Sequence, residues 1–138
     1  MSYLLDTNVI SELRKRERGH LSVIRWAASV DPVSLFTSVL VIGEIRRGIE
    51  LKRRTDMAQA IALEAWLERM RTGLVGRIIP VDERIADAWG RLGVPDAIPA
   101  IDGMLAATAI VHDLTVVSRN LGDLSRTAAR VFDPFQGD

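Results

Sequence analysis

Near its start the chain runs Tyr3-Leu4-Leu5-Asp6-Thr7-Asn8, an apolar stretch that ends abruptly in a carboxylate and two small polar residues. A hydrophobic strand with an acid at its C-terminal tip narrows the choice of fold, because open α/β sheets build their sites beyond those strand ends. Three more acids occupy comparable settings. Glu44 lies in Val41-Ile42-Gly43-Glu44-Ile45, Asp102 in Ala100-Ile101-Asp102-Gly103-Met104, and Asp123 follows Val116-Val117-Ser118-Arg119-Asn120. Carboxylates among apolar residues must be paired, protonated or metal-bound, since an isolated buried charge is costly. No lysine adjoins any of the four, so a shared cation is the economical explanation.

The patterning along the rest of the chain supports such a sheet. Short β-rich runs are expected at 3–6, 33–37, 77–81, 115–118 and 130–132. Helices are expected over 9–16 with Thr7 or Asn8 as cap, over 21–30, and from Ser38 to about residue 54. Residues 55–73 carry apolar positions at helical spacing, Asp82 starts a helix that Gly93 ends, and Pro99 suits the first turn of another through Val111. A loop is expected to hold Asn120 and Asp123. Strands alternating with helices imply right-handed crossovers and a parallel sheet covered on both faces. The fold class is therefore α/β, with a central parallel sheet of four to five strands. At 138 residues, without repeats or composition shifts, one domain over 1–138 is expected.

The residue inventory restricts the chemistry. There is no cysteine, which removes disulfides, thiol catalysis and every cysteine-containing zinc site. The two histidines, His20 and His112, belong to no His-Glu-x-x-His pattern. A metal site here is built from oxygen ligands, which suit Mg²⁺ or Mn²⁺ rather than Zn²⁺. No segment approaches the roughly 18 uninterrupted apolar residues of a membrane span, and Asp6 comes too early for a signal peptide; a cytoplasmic location with no membrane contact is expected. The formal net charge is zero, yet the basic residues are 16 Arg against 2 Lys. They cluster at Arg14-Lys15-Arg16 with Arg18, at Arg46-Arg47, at Lys52-Arg53-Arg54, and at Arg69 with Arg71. Arginine suits bidentate phosphate contacts, although an Arg-rich composition alone proves none.

Each acid also has a plain structural role open to it. Asp6 can cap the following helix, Asp102 can complement a helix N-terminus, and Asp123 can close an Asx turn. Glu44 is harder to explain so, because Leu40 and Gly48 share its helical face. Two acids at strand tips and two on helices beside those tips make a convergent pocket the better reading. Asp82, Glu64 and Glu68 read as structural, and Asp87 only weakly as anything more. Two other enzyme classes that start from an Asp at the first strand tip fail on chemistry. Haloacid-dehalogenase-type phosphatases need an acid where Asn8 stands, and receiver domains need an early acidic pair and a late lysine. A Walker-type phosphate loop is absent.

The motifs together resemble the PIN domain, and especially the VapC toxins of bacterial toxin–antitoxin pairs. Leu5-Asp6-Thr7-Asn8-Val9-Ile10-Ser11-Glu12 resembles the family's opening motif. Thr37-Ser38-Val39, then Gly43-Glu44-Ile45-Arg46 with Gly48, is similar to its second acidic motif, and Asp102 with Ala106 and Ala107 to its third. Ser118-Arg119-Asn120-x-x-Asp123, followed by Val131-Phe132-Asp133-Pro134-Phe135, resembles the closing motif, with the ending of the FitB-like branch. Ser118 stands where Thr is common, and Leu124 where Phe is common.

The resemblance implies a PIN-like fold and a Mg²⁺-dependent endoribonuclease, with Mn²⁺ able to substitute. It implies that Asp6, Glu44, Asp102 and Asp123 hold the ion, while Asn8, Ser118 and Asn120 orient ligands or water. It further implies an RNA substrate, a homodimer, and inhibition by a cognate VapB-like antitoxin. A PIN-like module that acts through protein contacts without cleaving, and a DNA-directed nuclease, are the alternatives at this point.

Overall fold

The run Tyr3–Leu5 forms β1, the centre of a five-stranded sheet in the computed structural model, which describes residues 1–136. The other strands are β2 (Leu35–Ser38), β3 (Ile78–Ile79), β4 (Thr115–Val117) and β5 (Arg130–Phe132), in the spatial order β3-β2-β1-β4-β5. Every neighbouring pair is parallel. The helices are α1 (Thr7–Arg14), α2 (Leu21–Ser29), α3 (Val39–Arg53), α4 (Met57–Gly73), α5 (Glu83–Leu92), α6 (Ala100–His112) and α7 (Leu121–Leu124). The chain leaves β1 on one side toward β2 and β3, then crosses back to lay β4 and β5 on the other side. Right-handed crossovers in opposite directions put helices on both faces, and the strand order reverses beside β1. The sheet is α/β and parallel with five strands, as the sequence leads one to expect.

The core lies where the sheet meets its helices. Leu4 and Val116 are wholly buried on adjacent strands, and Leu105, Ala106 and Ala107 bury α6 to the same degree. The small residues let α6 lie close to its neighbours, which Gly103 shows most sharply. A Cβ there would come within 2.9 Å of the Trp89 ring on α5. Helices α3 and α4 are joined on their outer side by ion pairs. Arg46 reaches Glu50 at 3.3 Å and Glu64 at 3.2 Å, and Arg53 reaches Glu50 at 3.0 Å and Glu64 at 2.8 Å. Hydrogen bonds from Arg53, and secondarily from Arg46, hold the Glu64 carboxyl below its ordinary range, while hydrogen bonds to Glu50 first and then to Glu64 raise the Arg53 guanidinium above its own. These pairs are exposed and individually worth little. They explain what two of the arginine clusters do: Arg46 and Arg53 tie one helix to the next.

Several boundaries differ from expectation for identifiable reasons. Asp6 rather than Thr7 or Asn8 caps α1: its amide still donates to the Val117 carbonyl at 3.0 Å, while its carboxylate accepts from the Thr7 amide at 2.7 Å. The strand therefore ends and the helix begins at one residue. Pro32 folds Pro32–Ser34 into a 3-10 turn capped by Asp31, so β2 starts at Leu35 instead of 33. Asp56 caps α4, which starts at Met57 rather than 55, and Pro99 stands at the cap of α6 rather than inside its first turn. The expected loop around Asn120 and Asp123 is partly a one-turn helix, α7, with Asn120 at its start and Asp123 inside it. Leu124, despite its smaller size than Phe, is wholly buried beneath that turn. Ser38 and Asp82 cap α3 and α5 as expected.

Candidate active site

All four acids belong to segments that begin at the C-terminal edge of the sheet or pack beside it. Asp6 follows β1, and Ser118 follows β4, the strand paired with β1 through Leu5 and Val117. This parallel register sets the two residues next to each other, and the Ser118 hydroxyl donates to Asp6 Oδ2 at 2.7 Å. Both are buried, Asp6 at 6% exposure and Ser118 at 0%. The same hydroxyl oxygen accepts from Asn8 Nδ2 at 3.3 Å and from the Asn120 amide at 2.9 Å. Asn8 Oδ1 in turn accepts from the Arg119 amide at 3.1 Å. The opening and closing motifs are thus laced together through one serine.

Two further contacts bring in the helical acids. Thr7 Oγ1 donates to Glu44 Oε1 at 2.6 Å, which joins the start of α1 to the middle of α3. Asn120 Nδ2 donates to Asp102 Oδ2 at 3.0 Å, which joins the start of α7 to the first turn of α6. Asp123 stands differently. Its carboxylate pairs with Arg126 at 3.3 Å, and Arg126 also reaches the Ala97 carbonyl at 3.5 Å. Asp123 is therefore near the group without sharing its hydrogen bonds.

The carboxyl of Asp102 registers the whole assembly. It is held above its ordinary range first by partial burial, then by the charges of Asp6 and Asp123, and further by Glu44, with the Asn120 hydrogen bond acting the other way. Three like charges that reach one group from three separate elements are unfavourable without a cation. Among the described residues no three acidic or histidine side chains stand close enough together to grip an ion as they are. The donor set fits a hard divalent cation: every group is oxygen. Each Asp6 oxygen accepts one hydrogen bond from the residues around it, a fraction of the roughly four lone-pair sites of a carboxylate.

Thr7 is the site residue that sequence reasoning placed wrongly, as a cap. Its position between Asp6 and Asn8 was the available signal. Two acids outside this group make surface ion pairs: Asp87 with Arg91 at 3.1 Å, and Glu68 with Arg71 at 3.1 Å. Gly48 leaves the space that its place beside Glu44 suggests, in a cleft of about 230 Å³ that Thr7, Glu44 and Lys52 also line. That cleft shares Arg14, Leu63 and Trp66 with a second one of about 550 Å³, where Arg16, Arg18 and Arg69 meet. Arg14, Arg16 and Arg18 thus line one hollow with Arg69, next to the cleft that holds Glu44.

The family model described as "PIN domain" matches residues 3–130. The chain belongs to the PIN-domain family. It is 31% identical to "Toxin FitB" of Neisseria gonorrhoeae over 141 aligned residues, covering 96% of this chain and 97% of that protein. "Ribonuclease VapC14" of Mycobacterium tuberculosis is 43% identical over 68 residues, 49% of this chain and 65% of that one. The crystal structure of FitAcB from Neisseria gonorrhoeae superposes with a TM-score of 0.88 at 32% identity, covering 97% of this chain and 99% of that one. Within this PIN domain, no helix among the described residues is long and apolar enough to cross a membrane.

Proposed function

We propose that this PIN domain is a Mg²⁺-dependent endoribonuclease, the VapC-type toxin of a toxin–antitoxin pair. One observation carries the reading: buried Asp6 at the tip of the central strand, with Glu44 and Asp102 drawn to the same end of the sheet by Thr7 and Asn120. The relatives toxin FitB and ribonuclease VapC14 support it. Asp6, Glu44 and Asp102 would hold the ion, and Asp123, which pairs with Arg126, would be a further ligand. When bound, a divalent ion there supplies activation of a water and neutralisation of charge on the phosphate and the leaving oxygen.

The chain's own residues do the rest. Ser118 keeps Asp6 in one rotamer by donating to Oδ2, so the carboxylate faces the site without searching for it. Asn8 and the Asn120 amide hold the serine oxygen, and Asn120 Nδ2 fixes Asp102. Thr7 does the same for Glu44. The arginine-lined hollow that adjoins the Glu44 cleft supplies cations for a phosphate backbone, which acids alone would repel. A cognate VapB-like antitoxin as inhibitor, a homodimer and a cytoplasmic location follow from the same reading. Light scattering that finds only monomer across micromolar concentrations would count against the dimer.

Cleavage of a labelled single-stranded RNA is the direct test. Chelator is expected to abolish it and either Mg²⁺ or Mn²⁺ to restore it, while a DNA strand of the same sequence remains intact. Undiminished cutting in excess chelator would overturn the metal reading, and equal cutting of DNA the choice of RNA.

A further inference from the structure

The closing segment Asp133-Pro134-Phe135 takes no part in the bonds that hold the acids, yet it is built with care. Asp133 Oδ1 accepts from the Phe135 amide at 2.8 Å, Pro134 is buried, and the Phe135 ring meets His20 edge-on with centroids 5.0 Å apart. On that ring lies Arg119, its guanidinium carbon 3.9 Å from the centroid. Arg119 sits between Ser118, which holds Asp6, and Asn120, which holds Asp102, and its own amide is tied to Asn8. Its side chain is exposed, and among the described residues no carboxylate lies within ion-pair distance of it. Glu12, whose carboxyl feels the charge of Arg119, is already committed to Lys15 at 2.8 Å and to the His20 amide at 3.0 Å.

We propose that Arg119, seated on the face of Phe135, grips an RNA phosphate beside the scissile one, and that Phe135 is the positioning residue for it. The stack leaves the edge of the guanidinium, with its forked N–H donors, free to meet phosphate oxygens. A planar cation anchored by its backbone to Asn8 and by its face to an aromatic ring loses little freedom on binding. Its place next to the acids provides the charge that a polyanion needs to approach four carboxylates. The proposal rests on the endoribonuclease reading above.

Steady-state cleavage of single-stranded RNA in Mg²⁺, over a series of salt concentrations, tests it with the full chain. Arg119→Gln is expected to raise KM about tenfold, as for the loss of a hydrogen bond to a charged group, with kcat nearly unchanged. It is also expected to reduce the slope of log KM against log salt by about 0.7, the share of one phosphate on a single strand. Phe135→Leu is expected to raise KM in the same direction, whereas Phe135→Tyr, which keeps an aromatic face, retains the wild-type value. Arg71→Gln, which removes a cation paired to Glu68, leaves both parameters alone. Fluorescence anisotropy of labelled RNA in chelator gives the same ordering without any cleavage. Should Arg119→Gln fail to fold, Arg119→Lys and Phe135→Leu carry the comparison. Wild-type KM and salt slope in Arg119→Gln, with active wild-type protein, overturn this proposal alone. Absence of metal-dependent cleavage by the wild type overturns the endoribonuclease reading, and this proposal with it.

Discussion

Replacing Asp102 with Asn is expected to abolish most RNA cleavage while leaving the metal-free protein at least as stable as the wild type. The two halves come from one cause. Asp102 senses Asp6, Asp123 and Glu44 as like charges, so its removal relieves repulsion, while the amide keeps the shape. The gain is at most about 1 kcal/mol, because the group is partly open to solvent that screens the charges. Linkage gives the sign with pH. A carboxyl raised in the folded state holds more protons there than in the unfolded chain between its ordinary and its raised pKa. Its contribution to stability is therefore present at low pH and lost as pH rises through that window. The Asn variant lacks this dependence. Wild type is expected to gain stability from added Mg²⁺ by mass action, and the variant to lose most of that gain. If Asp102 merely complements the N-terminus of α6, Asn costs a few tenths of a kcal/mol and leaves both activity and the Mg²⁺ response intact. Melting curves with and without Mg²⁺, beside one cleavage assay, separate these outcomes.

Ser118→Ala is expected to damage stability and activity together. The hydroxyl is wholly buried and serves three partners: it donates to Asp6 and accepts from Asn8 and from the Asn120 amide. Alanine leaves these groups short of a partner, at a cost of about 1–3 kcal/mol per buried group left unsatisfied. A fall in activity of about 10–100-fold is expected, the usual size when a residue that orients a metal ligand is removed. Ser118→Thr keeps the hydroxyl, and the closing motif of the family commonly has Thr there; wild-type activity is expected. Alanine that melts and cleaves like wild type would mean that the serine holds nothing.

The acids were legible because each broke a pattern: a carboxylate at the end of Tyr3-Leu4-Leu5, another between Ile42 and Ile45, a third amid Ile101 and Met104. Periodicity also located the strands, since parallel strands buried on both faces read as short apolar runs. What pattern did not carry is side-chain partnership across the sheet. Thr7 and Glu44 are 37 positions apart, and Asp6 and Ser118 are 112 apart; only the parallel register of β1 and β4 brings the latter pair into contact. Sequence alone leaves Asp6 open as cap or site residue; in the structure one oxygen caps α1 and the other accepts from Ser118. The one-turn helix at Asn120 was invisible because four residues are too few to show a helical period. The arginines were seen as clusters in sequence, yet Arg46 and Arg53 proved to bind carboxylates, and Arg14, Arg16, Arg18 and Arg69 assembled a common hollow from separate helices.

Asp6, Glu44, Asp102 and Asp123 are proposed to form one cation site. Anomalous diffraction from crystals of this PIN domain soaked in Mn²⁺ tests it most directly. A peak is expected at the C-terminal edge of β1, with carboxylate oxygens of Asp6 and Asp102 at about 2.1 Å, typical of a small hard cation, and Glu44 joining directly or through water. A well-diffracting crystal in saturating Mn²⁺ with no peak there, or with its strongest peak on an unrelated surface, would contradict it.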